Sequence, residues 1–212
     1  LVSSRKIVDR LRQTYKLAVV YIGPGQEDKR SILSNSRGSI EFERFVSSLG
    51  WAVKLATHHG FKGGLQYPED GDIATYFANP SVEAIFHVAT QMPSFKHLGN
   101  DEVMIIWTEH WRAFRRSILR TEFGDVLIII SPLSNGLFRV EIRKEPEIPF
   151  FGPLIDGMLV SEEHLPFLVR ATAIQASNAK ILQTVSLALY GLQAFQLPFP
   201  MIQSLCDLQM LL

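Results

Sequence analysis

Apolar residues along this chain cluster in short unbroken runs separated by polar, glycine-bearing turns, the pattern of strands buried on both faces. The first run, Leu17-Ala18-Val19-Val20-Tyr21-Ile22, follows a helix-like basic stretch and stops at Gly23-Pro24-Gly25. Residues 82–90, 103–107 and 126–130 read as three more buried strands. Beyond the last of these, Phe138, Val140 and Ile142 alternate with Arg139 and Glu141 just after Asn135-Gly136, so 126–142 reads as a hairpin with one solvated face. Two segments carry the helical period instead. Phe42, Phe45, Val46 and Leu49 form one stripe between Ser39 as N-cap and Gly50 as stop. Pro166 opens a second helix, with Leu168, Val169, Thr172 and Ala176 along one face. Strands interleaved with helices predict an α/β domain, and the hairpin requires a mixed central β-sheet flanked by helices.

Past residue 180 the composition turns to Leu, Gln, Ala and Phe, interrupted by Pro198 and Pro200. The chain is therefore divided into a domain over 1–180 and a C-terminal apolar helical tail over 181–212. That tail is too apolar for a free linker and is expected to pack on the domain or on a partner subunit. With 212 residues, 47% hydrophobic and 20% charged, the length suits one large domain or one domain with an appendage. The 21 basic and 21 acidic residues cancel, so no global field steers the protein to nucleic acid or an anionic membrane, and recognition must be local. The single cysteine, Cys206, fits a reducing compartment, and no apolar run reaches the ~18–20 residues of a membrane span. A cytoplasmic protein is expected.

Several chemistries can be set aside. Gly23-Pro24-Gly25 lacks the third glycine of a dinucleotide-binding turn and has Asp28 in its place, and no phosphate-binding Gly-x-x-x-x-Gly-Lys-Ser/Thr occurs. The adjacent His58-His59 would point to opposite faces of an extended chain, so no metal site is expected. Cys206 reads as a buried structural thiol, and Arg115-Arg116 as a solvated face.

The segment with the clearest functional shape is His97-Leu98-Gly99-Asn100-Asp101, a polar turn running straight into Val103-Met104-Ile105-Ile106-Trp107. A turn at the mouth of a buried strand presents an exposed side chain with little freedom left to lose. Taken alone, Asn100 reads first as a turn residue bonding its own backbone.

These residues also carry a resemblance. With Gly25 to Lys29, Ser31 to Asn35, Phe61 to Gln66, Val82 to Val88, Met92-Pro93-Ser94, Thr121 to Val126, Pro149 to Leu154 and Arg170 to Ile174, the chain resembles the catalytic domain of the Rap/Ran-type GTPase-activating proteins (GAPs). That family includes Rap GAPs, tuberin and the Ral GAP complex, and the similarity is greatest to the catalytic alpha subunit of the Ral GAP. It covers roughly residues 16–180 in one consistent order.

The resemblance implies a distorted G-domain-like fold without a nucleotide pocket, and a catalytic Asn100 acting as a thumb that enters a GTPase's active site from the end of a short helix. It implies a GTPase-contacting role for Lys96, His97, Gly99 and Asp101. Gly99 is expected to permit the sharp turn, and Asp101 to fix it through backbone amides rather than act as a base. His87 and Glu83 are expected to be structural, and Gly63-Gly64-Leu65 a tight backbone feature. The implied partner is a Ras-family small GTPase in its GTP-bound state, Ral first, then Rheb or Rap, with GTP and Mg²⁺ carried by that partner and no cofactor of the chain's own. A regulatory sister subunit or a homodimer is compatible, as is a GTPase-binding scaffold that accelerates nothing. In one respect the chain departs from the family: only Phe95 and Lys96 separate Ser94 from His97, where related subunits carry a longer polar loop. Either the helix begins within Pro93 to Lys96 or the loop is shortened.

Overall fold

A computed structural model describes residues 12–93, 97–119 and 124–194. The apolar run that begins at Leu17 is the core of a longer strand, β1 (Gln13–Ile22), which forms the middle of an eight-stranded sheet. It pairs in parallel with β4 (Val82–Val88) on one side and β5 (Val103–Thr108) on the other, and β5 pairs in parallel with β6 (Val126–Pro132). Antiparallel strands finish both edges: β2 (Trp51–Lys54) and β3 (Ile73–Ala78) beyond β4, β7 (Leu137–Lys144) and β8 (Met158–Ser161) beyond β6. The order is β2-β3-β4-β1-β5-β6-β7-β8, a mixed sheet as the hairpin required.

All four expected strands and the hairpin are present, with shifted ends. Gln13, Thr14 and Lys16 are strand rather than the end of a basic helix, because β4 supplies a parallel partner for them. Residues 1–11, the rest of that stretch, lie outside the described residues. Ala89 and Thr90 leave the strand for a 3-10 turn, Ala89–Gln91.

Among the described residues three α-helices accompany the sheet: α1 (Lys29–Leu33), α2 (Ile40–Leu49) and α3 (Leu165–Ala194). α2 has the expected ends. Ser39 Oγ accepts the Phe42 N–H, and the same hydroxyl reaches Glu109 beyond β5. At the other end Gly50 is needed for a close approach, since a Cβ there would stand 2.2 Å from the Tyr76 carbonyl oxygen. The Arg170 guanidinium donates to the Leu49 carbonyl at 2.7 Å and lies 3.9 Å over the Phe77 ring, tying α3 to α2 and β3. α3 continues unbroken through residue 180 to Ala194; residues 195–212, the rest of the tail, lie outside the described residues. No helix among the described residues is long and apolar enough to cross a membrane.

The two faces of the sheet are covered differently. Leu17, Val19, Ile105, Trp107, Ile128 and Ile130 pack under α2 and α3. Alternate residues Ala18, Val20, Ile85, Met104, Ile106 and Ile129 face the other way and are covered by α1 and by loop residues such as Leu55, Leu65, Met92 and Leu98. The second face thus carries loops and short turns where flanking helices were expected.

Trp107 anchors the helical face: it is fully buried, with ring centroids 5.3 Å from Phe45 and Phe138 and 5.9 Å from Phe42. Its Nε1–H donates to Glu109 at 2.9 Å, and Glu109 also accepts from Tyr21 Oη at 2.9 Å. Burial, reinforced by that carboxylate, pushes the Tyr21 phenol up to about 12. Trp107→Ala is expected to lower unfolding stability by about 3–5 kcal/mol, read from the urea midpoint at constant slope.

Candidate functional site

Asn100 closes a single 3-10 turn, Leu98–Asn100, on the loop-covered face immediately ahead of β5. Its N–H donates to the His97 carbonyl at 3.0 Å, and the residue is exposed. The turn is fastened to its neighbours by charge. Lys16, on β1, donates from Nζ to the Asn100 carbonyl at 2.8 Å and stands 3.7 Å from Asp101 Oδ1. The Asp101 side chain is fully buried, and its Oδ2 accepts from His87 Nδ1 at 2.7 Å. His87 comes from β4, one register row across from Ala18 and Met104, so three adjacent strands each contribute to the support of one turn.

A second pair holds the other end. His97 Nε2 lies 3.0 Å from Oδ2 of Asp70, a fully buried carboxylate that also accepts the Gln66 N–H at 2.8 Å. The His87 and His97 rings are 5.3 Å apart, centre to centre. Gly63 and Gly64 close over them with φ of +60° and +95°, a region glycine enters without steric cost. A Cβ on Gly63 would lie 2.4 Å from Ile85 Cγ2 and 3.0 Å from His87 Nε2. The tight backbone feature read at Gly63-Gly64-Leu65 is thus the lid over the two histidines.

Glu83, also on β4, holds the start of that loop. It accepts the Phe61 N–H at 2.8 Å and pairs with Arg12 at 3.1 Å. Burial pushes its carboxyl up, but the Phe61 amide and the Arg12 guanidinium outweigh it and hold the group below the usual glutamate range.

Of the residues singled out in sequence, the structure places His97, Gly99, Asn100 and Asp101 at one turn, with Asn100 exposed and Asp101 buried. Lys96 lies outside the described residues. Asp101 departs from its expected role: its carboxylate is turned inward to His87 and Lys16 rather than bonded to backbone amides, because a buried carboxylate needs charged partners. His87 and Glu83 are structural, as expected. The 3-10 turns Ala89–Gln91 and Leu98–Asn100 bracket this stretch; residues 94–96, where the helix start or the shortened loop was expected, lie outside the described residues. Lys16 and Asp70 were not found from sequence, since neither lies near the turn along the chain. Among the described residues no group of three or more His, Cys, Asp or Glu is arranged to hold a metal ion.

Chemically, the site offers an exposed carboxamide residue on a base tied by the buried Asp101–His87 bond, the half-buried His97–Asp70 bond and the Lys16 contact. Gly63→Ala is expected to cost about 1–3 kcal/mol through positive-φ strain and contact with Ile85, with chemical-shift changes at His87 and His97 in NMR spectra. Glu83 contributes stability above the ordinary glutamate range and loses it as pH falls through its lowered value. Glu83→Gln should therefore flatten the acid limb of the stability–pH curve, measured by urea unfolding from pH 7 to 3.

The chain was compared with known proteins on this footing. The family model described as Rap/ran-GAP matches residues 32–194. The human Ral GTPase-activating protein subunit alpha-1 is 54% identical, over 79% of this chain and 9% of that protein. The mouse Ral GTPase-activating protein subunit alpha-2 is 55% identical, over 79% of this chain and 10% of that protein. A solved structure of the TSC2 GAP domain superposes with a TM-score of 0.73 at 28% identity, covering 81% of this chain and 99% of that one. The chain spans about a tenth of the length of these Ral GAP relatives. With the family model matched over most of its length, this chain belongs to the Rap/Ran-GAP family.

Proposed function

We propose that this domain stimulates GTP hydrolysis by a Ras-family small GTPase, Ral before Rheb or Rap, by inserting Asn100 into the partner's active site. The observation that carries this reading is the exposed position of Asn100 on a turn whose carbonyl is clamped by Lys16 and whose next residue is locked by the Asp101–His87 pair. The family membership and the names of the Ral GAP relatives support the choice of reaction and substrate.

GTP hydrolysis needs a water held in line with the γ-phosphate. A carboxamide both donates and accepts hydrogen bonds and does not titrate, so it can orient that water at any working pH. An aspartate in its place would set a negative charge against the phosphate, and an aliphatic side chain would orient nothing. The fixed base matters for the same reason, since positioning accelerates a reaction only while the geometry is kept. GTP and Mg²⁺ belong to the partner, and no arginine of this chain is assigned the charge-neutralising part that arginine fingers play elsewhere, worth about 10³–10⁵ in rate. His97, Gly99 and the segment containing Lys96 flank Asn100 and form the surface that meets the GTPase, with Asp101 acting from beneath. In this reading 181–212 extends the 1–180 domain and packs on it or on a sister subunit or second copy.

A second reading is a GTPase-binding scaffold without catalysis, in which the same turn, Leu98–Asn100, docks on the GTPase and accelerates nothing. Single-turnover hydrolysis on GTP-loaded Ral, Rheb and Rap separates the two. The domain is expected to accelerate hydrolysis on Ral, and Asn100→Ala to remove about 10²-fold or more of that effect with binding largely kept. Saturable binding to GTP-loaded Ral with no change in hydrolysis rate would establish the scaffold instead.

A further inference from the structure

The sheet reverses its winding between β1 and β5. From β1 the chain moves to β4 on one side, then crosses back to lay β5 on the other. In sheets wound this way, ligands bind in the crevice beyond the carboxyl ends of the two central strands. A cavity of about 480 Å³ occupies that place, at the opposite end of β5 from Asn100. Its size falls within the roughly 300–1,000 Å³ typical of small-molecule sites.

Ile22 and Thr108, the last residues of β1 and β5, form its floor with Phe114, and all three are buried. Lys29 and Arg115 stand at its rim, exposed, and neither side chain makes a hydrogen bond or ion pair among the described residues. His110 lines the wall with its side chain only 5% exposed. Its Nδ1 accepts the Gly25 N–H at 3.1 Å, which leaves the ring proton on Nε2. That Nε2–H is buried and makes no hydrogen bond; the nearest carboxylate oxygen, on Glu27, is 3.5 Å away and is already held by Arg112 at 2.8 Å. A buried donor without an acceptor is costly, and a ligand oxygen would supply one.

Part of the backbone of the turn after β1 is already bonded. Gln26 Oε1 accepts the Gly23 N–H at 2.7 Å, and Asp28 Oδ1 accepts the N–H groups of Arg30 and Ser31. Among the lining side chains, those without partners among the described residues are the cations Lys29 and Arg115, the His110 Nε2–H and the Ser117 hydroxyl, above an apolar floor. The carboxylates that also border it, Glu27 and Asp28, are spent on Arg112 and on the start of α1.

We infer that this crevice binds a small organic phosphate, its anion between Lys29 and Arg115 and bonded by His110 Nε2–H, its body against Ile22 and Phe114. This site is independent of Asn100 and of the proposed GAP activity. Titration calorimetry of the intact chain with AMP, glucose 6-phosphate and adenosine tests it. AMP is expected to bind saturably with a Kd near or below about 1 mM, and the Lys29→Ala/Arg115→Ala variant to bind at least about tenfold more weakly with an unchanged circular dichroism spectrum. Tighter binding of AMP than of glucose 6-phosphate identifies the source as a nucleoside phosphate, and equal binding identifies a phosphorylated small molecule of any body. The inference is overturned if neither phosphate saturates by about 10 mM, if adenosine binds as tightly as AMP, or if the double variant binds unchanged.

Discussion

A fully buried carboxylate, that of Asp101, is the constraint from which the candidate site is built. A buried carboxylate is costly without partners, and Asp101 finds them in His87 on β4 at 2.7 Å and Lys16 on β1 at 3.7 Å. Removing one partner from such a buried pair typically costs about 3–5 kcal/mol, so the residue before β5 has very few places to go. Asn100 inherits that restriction through the peptide bond, and Lys16 adds to it by holding its carbonyl at 2.8 Å.

The unequal covering of the sheet explains why the site sits where it does. α2 and α3 seal one face around Trp107, Phe42 and Phe45, and its polar groups, Glu109, Tyr21 and Ser39, are bonded to one another. The other face is closed by loops, whose residues can carry polar side chains to the sheet surface: Asp70 reaches His97, and Gly63-Gly64 closes on His87. The same face holds both the Asn100 turn, ahead of β5, and the crevice past its far end.

Much of this was legible in sequence where burial is two-sided. β1, β4, β5 and β6 are runs of buried residues that only a central strand explains, and Ser39 with its four-residue stripe marks α2 without help from context. β2, β3 and β8 were not legible, because the edges of the sheet mix exposed Trp51, Ile73, Met158 and Leu159 with polar neighbours and break the alternation. In the site, the turn itself could be read from its local chemistry. Its supports could not: Lys16 meets Asn100 across 84 residues of chain and Asp70 meets His97 across 27, so only the parallel pairing of β1, β4 and β5 and the folding of the 61–71 loop bring them together. Asp101 looked like a turn-capping aspartate for the same reason, since its true partners are invisible to local pattern.

Rigid presentation of Asn100 by these buried bonds can be measured directly as the backbone ¹⁵N order parameter of Asn100 in the free domain, set beside those of β5 and repeated in Asp101→Asn. Order at Asn100 matching the strand, at about 0.85, and a fall toward about 0.6 in the variant while β5 is unchanged, is the expected result. An Asn100 already near 0.6 in the native chain, or one indifferent to the substitution, would show that the Asp101 pair does not hold the turn.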